Sequence, residues 1–171
     1  MVLQTQYASV DIRCPHCRAT WEVPVARYVN VGTDPDARLG ILLGTMHRSR
    51  CPVCKREQAV DFIFDYYDPE QNLVVQVRPE WEIRAGGGED WYWQRYEDLV
   101  QAYASHDVRV DVVFGFQEMI DKYLGGEEAV AAAKREWDAR KAGAKPASEQ
   151  DAPPEEPAGE SGSSTTEDNH A

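Results

Sequence analysis

The sequence predicts an α+β fold: an antiparallel β core with an inserted helix, followed by C-terminal helices. Two near-identical hexamers, "RCPHCR" at 13–18 and "RCPVCK" at 50–55, hold all four cysteines of the chain. Around them, segments of apolar/polar alternation stand beside one capped helical pattern, which is how a half-buried sheet with an insertion reads. From Trp91 onward helical periodicity and strong helix formers dominate, interrupted by one further β-like segment.

Taken in order, "QYASVDIR" (6–13) alternates as a strand leading into the first cysteine pair. "ATWEVPVARYVN" (19–30) leaves that pair as a second strand, and Pro24 assigns it to an edge or bulge because proline cannot donate to a ladder. In "TDPDARLGILLGT", Thr33 or Asp34 is a helix cap, Pro35 suits the first turn, and Leu39, Leu42 and Leu43 make an apolar face before Gly44 ends the helix. "MHRSR" leads to the second pair. In "QAVDFIFDYYD" (58–68), Val60, Phe62, Phe64 and Tyr66 alternate onto one face of a single strand. The turn "DPEQN" and the strand "LVVQVRP" complete a hairpin over 58–79.

"RAGGGED" then reads as a flexible connection, "WYWQRYEDLVQAYA" (91–104) as a helix and "VRVDVVF" (108–114) as a strand. "FQEMIDKYL" is a short amphipathic helix closed by Gly125-Gly126. "EEAVAAAKREWDARKA" is a final helix, with acidic residues at its start and basic ones at its end to suit the helix dipole. One domain over residues 1–141 results, with a knuckle-and-hairpin core at about 6–80 and a helical extension at about 89–141.

Residues 142–171 contain no Val, Ile, Leu, Met, Phe, Trp or Tyr, so burial cannot offset their ordering entropy; an acidic, disordered, solubilising tail is expected. The formal net charge of the chain is −12. That acidic balance argues against a general duplex-DNA binder, which must neutralise phosphates. There is no basic-then-apolar leader and no run near the roughly 18 apolar residues of a membrane span, so a cytoplasmic protein is expected.

In that compartment thiols stay reduced, and paired cysteines serve metal or redox chemistry more often than structural disulfides. Two CxxC turns facing each other make a tetrahedral sulfur cage, so Cys14, Cys17, Cys51 and Cys54 are the candidate ligands of one structural zinc ion in a zinc-ribbon-like core. The 33 residues between the pairs exceed the usual gap of such sites, and the inserted helix accounts for the excess. "CPHC" also looks like a thioredoxin-type dithiol, but the following "RATWEVPV" is β-like, whereas a redox cysteine of that kind caps a helix. His16, between two ligands, is redundant with four thiolates and reads as an exposed turn residue.

Arg13, Arg18, Arg48, Arg50, Lys55 and Arg56 crowd the knuckles. They either offset the −2 charge of a four-thiolate zinc centre or form a local nucleic-acid patch. Of the aromatics at 91–96, Tyr92 and Tyr96 follow the helix stripe into the core, while Trp91 and Trp93 flank it as possible anchors for a protein partner. No nucleophile–base pattern, phosphate loop or paired-carboxylate motif is evident.

These residues together resemble the CpXC domain proteins of bacteria and archaea, named for two CPxC motifs. The resemblance runs through "CPHC", "VNVGTDPDARLGILLGT", "CPVC" and "FDYYDPEQNLVVQVRPE", with a later match in "VRVDVVFGFQEMIDKYL". It implies that the four cysteines bind metal and that Asp34, Pro35, Gly44, Asp68, Pro69 and Pro79 are framework positions; it implies no activity. Arg18 and Lys55 depart from the pattern of many knuckles, which place glycine after the second cysteine to allow positive φ. The expectation is a structural zinc site supporting interaction with another protein, with nucleic-acid binding and thiol–disulfide exchange as alternatives.

Overall fold

The computed structural model describes residues 4–86 and 88–143. Strand β1 (Gln6–Arg13) and strand β2 (Thr20–Asn30) pair antiparallel around the first cysteine pair, from Arg13↔Thr20 outward. Helix α1 (Pro35–Leu42) follows, then two three-residue strands, β3 (Arg48–Arg50) and β4 (Glu57–Ala59), which form a ribbon around the second pair. A tight hairpin comes next, β5 (Phe64–Asp68) and β6 (Leu73–Arg78). After α2 (Glu80–Ala85) and α3 (Glu89–Ala102), β7 (Arg109–Phe114) leads into α4 (Phe116–Met119), which continues as a π-helical turn over Ile120–Leu124. Helix α5 spans Gly126–Gly143. The acidic tail expected beyond it lies outside the described residues from 144 on.

The α+β expectation holds, with both hairpins antiparallel. They are joined into a five-stranded sheet, β1-β2-β5-β6-β7, that is mixed: β2 pairs parallel with β5, and β6 with β7. Each parallel pair needs a crossover. The first carries α1 and the cysteine ribbon, the second α2 and α3.

Alternation sorts side chains onto the two sheet faces. Phe64, Tyr66, Leu73, Val75, Val77 and Val113 face α1, α4 and the π turn, burying Ile41, Met119 and Leu124. Val112 and Phe114 face the opposite way, against Leu99 of α3, with Ile83 and Trp91 packed alongside. Pro24 sits opposite Ser9, in the part of β2 that pairs on one side only, so its missing N–H leaves no gap in a ladder.

Three local details differ from expectation. The single strand over 58–68 is broken at 60–63, because its first part pairs back onto β3 while its second part joins the main sheet. Val60 and Phe62 still point inward, but into a separate apolar cluster with Val23 and Val25. The connection after Pro79 contains α2, which the glycine run concealed. Asp34 is the N-cap residue of α1 without a side-chain cap bond; its carboxylate accepts the Tyr7 hydroxyl at 3.4 Å. The other end of α1 closes as expected: Gly44 adopts φ +63°, and Gly44 and Thr45 donate to the carbonyls of Ile41 and Gly40.

Candidate metal centre

Both cysteine pairs sit in turns between two strands, and neither stands at a helix N-terminus. The two turns share one hydrogen-bond pattern. Cys14 N–H donates to Ala19 O at 2.8 Å and Arg18 N–H to Cys14 O at 3.0 Å; Cys51 N–H donates to Arg56 O at 2.9 Å and Lys55 N–H to Cys51 O at 3.0 Å. Closing each turn puts the residue after the second cysteine at positive φ, 61° for Arg18 and 63° for Lys55. The knuckle geometry is therefore retained with non-glycine residues.

The main-chain hairpin β1–β2 presents the first knuckle and the ribbon β3–β4 the second. Trp21 Nε1–H donates to Ser49 Oγ at 3.0 Å, tying hairpin to ribbon beside the cysteines. Arg56 Nη1 lies 2.7 Å from His16 Nδ1, a contact between the two knuckles, with His16 exposed as expected. A third tie was not legible in the sequence. His47, just ahead of β3, is buried, and its Nε2 accepts the Ala26 N–H of β2 at 3.0 Å. Its ring packs edge-on to Phe64 and beside Phe62 and Phe116.

These ties bring the four Sγ atoms within 4.8 Å of one another. Cys14 and Cys54 are 3.6 Å apart, Cys17 and Cys51 3.5 Å. A tetrahedron of sulfurs about 2.3 Å from a central ion has edges of roughly 3.8 Å, so the cluster fits a closed four-thiolate metal site. Cys14 and Cys51 are buried, whereas Cys17 is exposed and Cys54 half-buried.

Backbone N–H groups aimed at sulfur prepare the cluster for negative charge. The N–H groups of Cys17 and His16 lower the Cys14 thiol. At Cys51 burial opposes ionisation, but the N–H groups of Cys54 and Val53 and the neighbouring sulfurs bring it down to about 6. At Cys54 the Arg56 N–H favours the thiolate, yet burial and the three other sulfurs push it up to about 11. Four thiolates so close repel one another, and a cation at their centre removes that repulsion.

Arg13, Arg18, Arg50, Lys55 and Arg56 are exposed in or next to the two knuckle hexamers, whereas Arg48, also exposed, lies beside Met46, Phe116 and Lys134. Arg50 Nε–H donates to Lys55 O at 2.8 Å and Lys55 Nζ to Pro52 O at 2.7 Å. Among the described residues none of the six forms an ion pair. Of the two tryptophans singled out, Trp93 is exposed, with Nε1–H donating to Glu89 at 3.3 Å. Trp91 is half-buried against the Leu99–Phe114 cluster, with the Arg95 guanidinium 4.4 Å over its ring. Trp81, also exposed, was not singled out. No helix among the described residues is long and apolar enough to cross a membrane.

A family model described as CpXC protein matches residues 12–129 of the chain, from just before the first knuckle to the start of α5. No curated protein and no solved structure matches it.

Proposed function

Because the chain belongs to the CpXC protein family and gathers its four thiols into one cluster, we propose that it is a non-catalytic binding module, stapled by one structural zinc ion, that engages another protein in the cytoplasm. Zinc suits the site because four thiolates fill its tetrahedron and leave no position for a reactive water. Its chemistry there is charge neutralisation and cross-linking: it ties a hairpin of the main sheet to a ribbon of two three-residue strands, too short to be stable alone. The carrying observation is the convergence of the two knuckles, with sulfur pairs at 3.5 and 3.6 Å.

Native mass spectrometry with elemental analysis and thiol counting tests the metal. One zinc per chain, with all four thiols blocked until a chelator removes it, is expected. A metal-free chain with a reversibly oxidised thiol in "CPHC" would replace this reading with thiol–disulfide exchange. The partner is tested by affinity purification from native lysate, in which Trp93→Ala should lose a specific protein that the unaltered chain retains. Recovery of no specific protein sinks that half of the proposal.

A second reading, nucleic-acid binding, is favoured by six exposed cations in or close to the knuckle segments, none of them ion-paired among the described residues. It predicts salt-sensitive retention on single-stranded or duplex probes, lost when Arg48 and Arg50 become Ala. Absence of binding at low salt rejects it.

A further inference from the structure

We propose that two copies of the chain associate edge to edge, the outer side of β1 in one copy pairing antiparallel with the same side of β1 in the other, Val10 opposite Val10. The occupant of this edge is a second copy of the chain, and the contact is separate from Trp93 on α3.

The main sheet has two edges, and they are finished differently. Strand β7 forms one. Arg109 N–H donates to Asn72 O at 2.9 Å and Gly115 N–H to Arg78 O at 2.8 Å, so by the period of two the N–H groups of Val110, Val112 and Phe114 point outward. Side chains of the chain itself take two of those three: Asp111 Oδ1 accepts the Val112 N–H at 2.8 Å and Glu118 Oε2 the Phe114 N–H at 2.7 Å. A strand edge filled in this way is closed to further pairing. Strand β1 forms the other edge and pairs with β2 alone. Cys14 N–H donates to Ala19 O, which by the same period turns the polar groups of Ile12, Val10 and Ala8 towards β2. The facing residues agree: Pro24, opposite Ser9, has no N–H to give, and Ala26, opposite Tyr7, gives its N–H to His47 on the far side. The backbone N–H and C=O groups of Tyr7, Ser9, Asp11 and Arg13 therefore point outward, and among the described residues none of them has a hydrogen-bond partner.

This edge complements itself in one register. Outward groups must meet outward groups, so antiparallel pairings of β1 with itself differ by steps of two residues. With Val10 opposite Val10, Tyr7 meets Arg13 and Ser9 meets Asp11 as hydrogen-bonded pairs, and Ala8 meets Ile12 between them. On the solvent face the Arg13 guanidinium lies by the exposed Tyr7 ring and the Ser9 hydroxyl donates to the Asp11 carboxylate. On the other face Ala8, Val10 and Ile12, half-buried at the margin of the Val23–Val25 cluster, extend that apolar surface into the second copy. One step in one direction sets Asp11 against Asp11, and like charges directly opposite are destabilising. One step in the other carries Arg13 past the end of β1, opposite Thr5.

Pairing at β1 joins two five-stranded sheets into one whose outer edges are both β7, so association stops at two copies. The contact is small, below roughly 1,200 Å² in total, the range of weak and reversible association. Each copy carries a formal charge of −12, and a salt concentration of about 0.15 M, with a Debye length of about 8 Å, screens their mutual repulsion.

Sedimentation equilibrium of the full chain in that salt, its metal content verified by elemental analysis, should show the mass rising from 19.3 kDa towards twice that value as the concentration approaches about 1 mM. Ser9 is exposed and its side chain makes no hydrogen bond among the described residues, so exchanging it leaves the fold intact. Ser9→Lys faces Asp11 of the second copy at two symmetric positions and should tighten the dimer, whereas Ser9→Glu should loosen it. The two dissociation constants should differ by roughly tenfold or more. In a mixture of isotope-labelled and unlabelled chains, α-proton contacts between chains should join Ala8 to Ile12 and Val10 to Val10, the non-hydrogen-bonded pairs of this register. A monomer at every concentration, which would leave the edge to a strand of a different protein, overturns the proposal. So do a mass that climbs past two copies, equal dissociation constants for the two Ser9 variants, and contacts between chains that lie outside β1.

Discussion

Arg18 and Lys55 occupy the same backbone position in the two knuckles, at φ 61° and 63°, thirty-seven residues apart in the chain. An L residue is disfavoured there by about 1–2 kcal/mol relative to glycine. Both side chains are exposed, so exchanging them removes no core contact. Glycine also enlarges the freedom of the unfolded chain, which takes back part of the gain. Arg18→Gly should therefore stabilise the metal-loaded protein modestly, by up to about 1 kcal/mol in chemical denaturation. Lys55→Gly should gain less, because Lys55 Nζ also binds the Pro52 carbonyl at 2.7 Å. A loss of stability in Arg18→Gly would show that the knuckle holds its residue there for another reason.

Removing a ligand should act through the ribbon first. Strands β3 and β4 pair over only three residues each, and their connection to the main sheet runs through the cysteines, Trp21–Ser49 and His47. Cys51→Ser replaces a buried sulfur. It should abolish tight metal binding and expose the amides of 47–60 to hydrogen exchange, while those of β5 and β6 stay protected. Chelation of the unaltered protein should give the same pattern. Uniform loss of protection across the sheet would mean that the metal supports the whole domain instead.

Much of this centre was legible in the sequence. Matched CxxC turns, each entering a β-like segment, announced two equivalent knuckles, and both have the same hydrogen bonds. Strand β1 coincides with the alternating segment over 6–13 because its pattern and its pairing agree. The segment over 58–68 misled because alternation reports which way side chains point and not which strand is the partner. Val60 and Phe64 both face inward, yet they belong to different apolar clusters. The parallel pairings and the His47 tie depend on contacts between distant segments, which leave no periodic trace. Nor did the run of glycines before α3 betray the short helix α2 ahead of it.

At the far edge of the sheet, one carboxylate joins the two helical layers. Asp111 of β7 accepts the Tyr92 hydroxyl from α3 at 2.8 Å and the Tyr123 hydroxyl from the π-helical turn. Those tyrosines pack on opposite faces of the sheet. Burial and the neighbouring Asp111 push both phenols well above their ordinary range, so at neutral pH they remain donors. Asp111→Ala orphans both hydroxyls and should lower stability by about 2–4 kcal/mol. Tyr92→Phe and Tyr123→Phe should each lower it by about 1–2 kcal/mol. Urea unfolding of the singles and the double tests this; strictly additive losses would show that the two phenols are not coupled through Asp111.

His47 should make the protein less stable in mild acid. Burial lowers its pKa below the ordinary value, and Nε2 can accept the Ala26 N–H only while that nitrogen is unprotonated. In the unfolded chain the same imidazole titrates near 6.5. Above that pH neither state holds the proton, and the contribution of His47 is complete. As pH falls through about 6.5 the unfolded state takes up the proton first, so stability is lost on the way down to the lower folded value, with a slope of at most about 1.4 kcal/mol per pH unit. His47→Asn removes the titration while tolerating the φ of 53° at this position. It also forfeits the contacts with Phe62, Phe64 and Phe116, for an expected loss of about 2–4 kcal/mol near neutral pH. Carboxylates and cysteine ligands titrate identically in both proteins, so the difference between their denaturation curves from about pH 7 down to about pH 5 isolates this one ring. That difference should shrink as the pH falls. A constant offset across the range would mean that the imidazole is not held neutral by the fold.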